Sequence, residues 1–368
     1  MLKETVSQYF RSMQRNLFPG FAEDLGMTTD KHLRVIVALD MIEVERFVLY
    51  QSPFAVGRPP VNRDAMARAF VAKAVLNIST TVGLIDRLKA DPVLRRLCGF
   101  DGKIPSEGTF SNAFAEFANQ GLAQIIHEAL VRETYREKIV GHVSRDSTAI
   151  NAREKPAKKP NSETAAEKAL PKKRGRPRKG EERAPKDPTR IERQQKMSLP
   201  EMLADLPKRC DVGGKNNSKG NPEWWVGFKL HLDVDDHGIP LTALVTSASM
   251  HDSQAAIPLE IITNSRVKSL YSVMDSAYNS ELIEKTVINA GKVPIIDPKK
   301  PRGGEIVPLD PAKKERYKIR TSVERTNSTI KDDFGGRYVR VRGHDKVAAH
   351  LFFGVLAMTA LRLVHVFT

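Results

Sequence analysis

Cysteine is nearly missing from this sequence: 368 residues hold two, Cys98 and Cys210, in unrelated segments. That excludes a disulfide framework and a cysteine-based zinc site, and makes a reducing cytoplasm the expected setting. Long hydrophobic runs are also scarce. The longest, Val347 to Leu361, contains His350, is followed by Arg362, and falls short of the roughly 20 residues that span a bilayer. It reads as a core helix. The N-terminus, MLKETVSQYF, reads as no signal peptide, and neither a basic amphipathic helix nor a lipid signal is evident, so a membrane is not an expected partner. No internal repeat is visible. Acidic charge is in deficit, with 44 Asp and Glu against 59 Lys and Arg, a net charge of +15. Such a balance calls for a polyanion, and nucleic acid fits best because basic surface gains affinity by releasing counterions from phosphate. With 40% apolar residues, the chain is long enough for two or three domains and a substantial core.

Apolar residues recur at helical spacing over 32–50, 63–89 and 106–133, broken by Pro59-Pro60 and by Gly99 to Pro105, so residues 1–135 read as an all-helical region and, in so basic a chain, as a candidate for DNA binding. Ser106 is placed to cap a helix whose polar face either enters a DNA groove or is plain scaffold. From Ile139 the pattern turns to strands, the first ending near Asp146. Val226 to Val234 alternates in and out, Asp235-Asp236-His237-Gly238 supplies a turn, and Ile239 to Thr246 returns as a hairpin. A helix over 253–264 capped by Asp252, a strand over 269–274 ending at Asp275, a helix over 278–290, a strand over 293–296 and a helix from about Pro311 complete the order. Strand, hairpin, helix, strand, helix, strand, helix is the order of a ribonuclease H-like mixed α/β core, expected over 136–368.

A foreign block, residues 151–222, interrupts that core. It holds 20 basic and 10 acidic residues and few aromatics, so it is expected to be largely flexible, with a short helix over 191–206. Within it, Lys172-Lys173-Arg174-Gly175-Arg176-Pro177-Arg178-Lys179 has the form of an AT-hook. Gly-Arg-Pro keeps the backbone thin and extended, so Arg174, Arg176 and Arg178 can enter the narrow minor groove of A·T-rich DNA. The plain alternative is a basic linker.

On the last predicted helix of the core, Tyr317, Arg320, Glu324 and Lys331 stand at offsets of three, seven and fourteen, which gathers them within an arc of about 60°. Ile319, Val323, Thr326 and Ile330 form a separate buried stripe. Arg320 with Glu324 alone is an ordinary surface pair; carboxylates elsewhere change its meaning. Asp146 and Asp275 end strands that neighbour each other in this strand order, and Glu324 closes a triangle. Three converging carboxylates repel unless divalent cations neutralise them. Hard oxygen ligands select Mg²⁺ or Mn²⁺, and two such ions can activate a water or 3′-hydroxyl while stabilising the leaving oxygen of a phosphodiester. Arg320 and Lys331 are candidate phosphate contacts, and Tyr317 can donate a hydrogen bond or stack on a base.

Here the chain resembles the bacterial insertion-sequence transposases of the DDE class that carry a tyrosine-arginine-glutamate-lysine signature. The resemblance rests on Asp146 in RDST, Asp275 in VMDSAYNS, and the spaced set Tyr317, Arg320, Glu324 and Lys331. Weaker matches are KRCDVGGKNNSKGNPEWWVGFKLHLDVD, SASMHDSQAAIPL and IPSEGTFSNAFAEFA. It implies a metal-dependent enzyme that binds the terminal inverted repeats of its own element in double-stranded DNA, cuts there, and joins the freed 3′-hydroxyls to target DNA, as a homodimer or higher assembly in the nucleoid-containing cytoplasm. The best-known members place a β-rich insertion between the second Asp and the Glu. Here that interval is short and the extra block follows the first Asp, so the DNA-hairpin route that uses the insertion is not carried over. Alternatives are a structure-specific nuclease without strand transfer and a non-catalytic DNA-binding derivative.

Several other residues carry two readings. Trp224 and Trp225 open a strand as one core and one surface aromatic, or as base-stacking groups. His251 with Asp252 reads as loop and cap rather than a metal pair, in a position near the site. Lys299, Lys300, Arg302, Arg337, Arg340 and Arg342 line a DNA channel or are simply solvated.

Overall fold

The computed structural model of the chain describes residues 28–49, 61–157, 187–216, 220–299, 304–305 and 307–367. Its first part is helical, as the periodicity predicts, but each long run is divided. The described helices are α1 (Asp30–Ile42), α2 (Arg63–Val75), α3 (Thr81–Ala90), α4 (Pro92–Leu97), α5 (Glu107–Gln120) and α6 (Leu122–Thr134). Glu43, Asn77 and Gly121 take positive φ at the breaks, 43°, 52° and 65°, and a left-handed residue ends the helical hydrogen-bond ladder. Thr29, Asn62, Thr80, Asp91 and Ser106 cap the starts with side-chain acceptors, satisfying backbone donors that would otherwise be orphaned.

The second part is a mixed sheet with helices. In chain order it contains β1 (Ile139–Asn151), α7 (Arg190–Gln194), α8 (Leu199–Asp205), β2 (Asp211–Asn216), β3 (Pro222–Val234), β4 (Pro240–Ser247), α9 (Ala256–Arg266), β5 (Lys268–Met274), α10 (Glu281–Asn289), β6 (Val293–Ile296), α11 (Pro311–Tyr317), α12 (Thr321–Asp333) and α13 (His344–Phe367). The sheet runs β2-β3-β1-β5-β6, with β4 also on β3. β3 pairs antiparallel with β1, β2 and β4, whereas β1–β5 and β5–β6 are parallel. This is the ribonuclease H-like arrangement expected from the element order.

Three local expectations change. In the block read as largely flexible, the short helix expected over 191–206 is present as two, α7 and α8, with Met202 and Leu206 buried, but the block also holds an unexpected strand, β2, which pairs with the start of β3 from Asp211 against Gly227 to Asn216 against Pro222. The composition hid this because β2 is Gly-rich. Gly213 and Gly214 face Trp225 and Trp224 across the pair, and a Cβ at either would stand 2.5 or 2.6 Å from the indole. Asp252 opens a 3₁₀ turn (Asp252–Ala255) that His251 caps, so Asp252 is free of that duty. The signature helix is two helices joined by a 3₁₀ turn, Lys318–Arg320, which tightens the winding just before Glu324.

The helical part and the sheet share one core. Helix α13 contacts α1, α2, α5, α6, β4 and α12, and Phe353 on it stands 5.9 Å from Phe70 and 6.3 Å from Phe114. Its 24 residues are long and apolar enough to cross a bilayer, yet 89% of the apolar window is buried inside the protein. It is the core helix anticipated from the apolar run, extended at both ends. Gly354 lets it pass the end of α12, where a Cβ would meet the Phe334 carbonyl oxygen at 2.4 Å. His350 donates through Nε2 to the Gly335 carbonyl at 3.0 Å, and burial lowers its pKa to about 3, keeping the ring neutral.

Candidate active site

Alternation along β1 sends adjacent residues to opposite faces of the sheet. Arg145 points to the α9 side, where its guanidinium makes two 2.7 Å bonds to Asp233 and one of 3.0 Å to Glu260, all fully buried. Lys292 adds a 2.8 Å pair to Glu260, and Thr263 donates to Asp233 at 2.6 Å. Two cations thus balance two carboxylates away from water, an arrangement in which removal of one member leaves an unpaired buried charge. Asp146 points the other way, toward α12.

The parallel register of β1 and β5 pairs Ser144 with Val273, and continued by two residues it brings Asp146 alongside Asp275. Asp275 caps the 3₁₀ turn after β5 by accepting from the Ala277 backbone at 2.9 Å. Arg320 meets both: its Nη2 lies 3.4 Å from Asp146 Oδ1 and 3.5 Å from Asp275 Oδ2. Its Nη1 hydrogen-bonds Glu324. Asn327, one turn past Glu324, donates to Asp146 Oδ2 at 3.0 Å. Asp146, Asp275 and Glu324, from two strands and one helix, therefore surround a single guanidinium.

The electrostatics follow from burial and from this crowding. Asp146 is pushed up to about 6, mainly by burial, with Asp275 and Asp252 adding repulsion and Arg320 opposing. Burial likewise raises Asp275, against the pull of Arg320 and with the push of Asp252 and Asp297. Burial and the same acidic surroundings push Tyr317 up to about 12. Lys331 is held below its usual range by burial first, then by Lys215 and Arg337.

Tyr317, Arg320 and Glu324 are gathered at the aspartates, and Lys331 lies within electrostatic reach of Asp146. Arg174, Arg176 and Arg178 lie outside the described residues, as do Lys300 and Arg302. Sequence reasoning missed Asn327, although its offset of three from Glu324 places it on the same face. Asp252, read from the sequence as a cap near the site, does stand there: its carboxylate pairs with Lys229 at 2.8 Å and is close enough to raise both aspartates. No local signal announces that contact, because β3 and the β4–α9 turn meet only in the folded sheet. Tyr278 is fully buried beside Asp252 and Asp146, and its hydroxyl has no hydrogen-bond partner among the described residues.

Among the described residues, no three carboxylate, histidine or cysteine side chains form a metal cage. The donors still suit a hard cation. Two carboxylates flank a positive charge supplied by Arg320, and the buried Asn327 Oδ1 has no hydrogen-bond partner among the described residues, so oxygen ligands predominate, as Mg²⁺ or Mn²⁺ requires.

Residues 146–360 match the family profile of the transposase DDE domain, beginning at Asp146 itself. The chain belongs to the DDE transposases. Residues 29–116 match a second profile, a transposase domain (DUF772), so both the helical part and the sheet carry transposase signatures. No curated protein matches the transposase in sequence.

Proposed function

We propose that this transposase binds the terminal inverted repeats of an insertion sequence in double-stranded DNA and catalyses strand cleavage and strand transfer there, with Asp146, Asp275 and Glu324 as its catalytic carboxylates. The observation that carries the proposal is the shared contact of all three with Arg320, since the residues come from positions 146, 275 and 324 and have no other reason to converge. Asp146, Asp275 and Glu324 would hold two divalent ions, which supply activation of the attacking hydroxyl and charge relief at the leaving oxygen.

The protein's own groups do the rest. Asn327 orients Asp146 through its 3.0 Å bond. Arg320 offsets the repulsion between the aspartates and, with Lys331, can take a backbone phosphate. Tyr317, kept protonated by its surroundings, donates to a phosphate oxygen or stacks on a base. The buried Arg145–Asp233–Glu260 network locks β1, so that Asp146 projects from a rigid strand. The helical region of residues 1–135 and the hook of Arg174, Arg176 and Arg178 are assigned to DNA binding, and the joining of two ends calls for at least a dimer on DNA.

The test is Glu324→Gln, assayed on duplexes carrying the inverted repeats that flank the gene. We expect Mg²⁺-dependent nicking and strand transfer to be lost while binding of the duplex is kept. Nicking without transfer by the unaltered protein would favour a nuclease, and an unchanged variant would remove Glu324 from the chemistry.

A further inference from the structure

Three residues on one face of β1 meet the segment that leads into the site. Alternation puts His142, Ser144 and Asp146 on that face. His142 Nε2 lies 3.3 Å from Arg316 Nη1 on α11, the Ser144 hydroxyl reaches the Ile319 carbonyl at 3.5 Å, and Asp146 meets Arg320 at 3.4 Å. On the parallel neighbour β5, Tyr271 stands beside His142 as Val273 stands beside Ser144. The end of this row farthest from the aspartates is a closed set of contacts. Tyr271 stacks on the His142 ring, 5.0 Å between centres and 20° between planes, and the Arg316 guanidinium lies 4.2 Å from the centre of the same Tyr271 ring.

The imidazole is fixed from behind. Asp236, in the turn between β3 and β4, accepts a 2.6 Å bond from His142 Nδ1 and a 3.0 Å bond from the His142 backbone. Gly141 makes room for that carboxylate, since a Cβ there would stand 2.9 Å from Asp236 Oδ2. A carboxylate at Nδ1 keeps the neutral ring's proton on that nitrogen, so Nε2 presents a lone pair to the guanidinium. Asp236, His142 and Arg316 thus form a directed chain, carboxylate to imidazole to guanidinium, that ends on α11.

Helix α11 needs such a hold. It has seven residues, none of them buried, and a helix that short is marginal on its own. The 3₁₀ turn that follows, Lys318–Arg320, has no buried residue either. Yet Tyr317 and Arg320, the last residues of these two pieces, are the ones the site uses.

Resting on the roles given above to Tyr317 and Arg320, we propose that His142 is a positioning residue for strand cleavage: held by Asp236, it fixes α11 through Arg316 and so sets where Tyr317 and Arg320 stand against Asp146 and Asp275. Losing the hold leaves the carboxylates in place but frees the cation that offsets their repulsion. Misplacement of that kind costs turnover rather than duplex binding.

His142→Ala and Arg316→Ala, singly and together, are compared in the full-length protein on end-bearing duplexes with Mg²⁺, alongside amide hydrogen exchange of residues 311–320 without DNA. Each single variant is expected to lower turnover at saturating duplex about tenfold, the scale of one hydrogen bond to a charged group. Duplex affinity in His142→Ala should stay within about twofold of the parent. The double variant should lose no more than either single one, because the two side chains act as a unit. His142→Gln, whose amide oxygen still accepts from Arg316, should recover most of the turnover, which a merely structural role would not allow. Exchange over 311–320 should quicken about tenfold in both single variants and stay near the parent rate in His142→Gln. Additive losses, a fall in His142→Ala affinity in place of turnover, or unchanged exchange in His142→Ala overturns the proposal. Absence of Mg²⁺-dependent nicking by the unaltered protein counts against the cleavage chemistry instead, and the exchange rates then decide whether His142 holds α11.

Discussion

Arg145 and Asp146 are joined by one peptide bond and serve opposite faces of the same strand: Arg145 is sealed between Asp233 and Glu260, while Asp146 meets Arg320 and Asn327. The buried pair of charges holds the strand that presents the carboxylate, so structure and chemistry are separable by substitution.

Arg145→Leu should destabilise the fold by about 3–5 kcal/mol, because Asp233 and Glu260 lose a fully buried partner. Urea unfolding would show a lower midpoint. A midpoint unchanged from the parent would mean that the network contributes nothing.

Asp146→Asn should leave the fold intact and reduce Mg²⁺-dependent cleavage by about a thousandfold or more, the loss expected when several kcal/mol of metal-assisted stabilisation is removed. Cleavage kinetics on end-bearing duplexes would check it, with circular dichroism as the control for folding.

The pH dependence has a definite sign. Asp146 has a folded-state value of about 6 against an ordinary 3.8, so the folded protein binds this proton more tightly than the unfolded chain does. Stability without metal should therefore fall as pH rises from 3.8 toward about 6, and Asp146→Asn should flatten that part of the profile. Mg²⁺ affinity should move the opposite way, weakening below about 6 because the ion needs the ionised carboxylate. Thermal midpoints and calorimetric titrations across that range would decide.

Tyr278→Phe removes a buried hydroxyl that has no hydrogen-bond partner among the described residues. The unfolding midpoint should rise or hold, since an unsatisfied buried group costs about 1–3 kcal/mol, while cleavage should fall if the hydroxyl serves the aspartates beside it. Lowered stability would show that the hydroxyl has a structural partner.

Gly354→Ala should destabilise by about 1–3 kcal/mol, because the added methyl meets the Phe334 carbonyl oxygen and forces α13 away from the end of α12. Chemical denaturation would measure it.

Much of this was legible along the chain. The alternation of Val226 to Val234, the turn at Asp235 to Gly238 and the apolar run inside α13 depend on neighbours in sequence, so periodicity reveals them. The spacing of Tyr317, Arg320 and Glu324 is likewise a local property of a helix, even though a 3₁₀ turn interrupts it. The strand β2 was hidden because glycines there make room for tryptophans of another strand, and composition alone reads glycine and lysine as flexibility.

By itself the sequence determined the element order, the stripe of charged residues on the last core helices, and the candidate aspartates Asp146 and Asp275, because these follow from short-range periodicity and backbone preference, although it ended the first strand near Asp146 where β1 runs on to Asn151. Only the tertiary structure decided that Arg320 joins Asp146, Asp275 and Glu324, that Asn327, Asp252 and Tyr278 stand with them, and that Arg145 is buried behind. Those relations depend on the register of β1 against β5 and on how α12 crosses the sheet, which packing of the whole core sets and no short segment encodes.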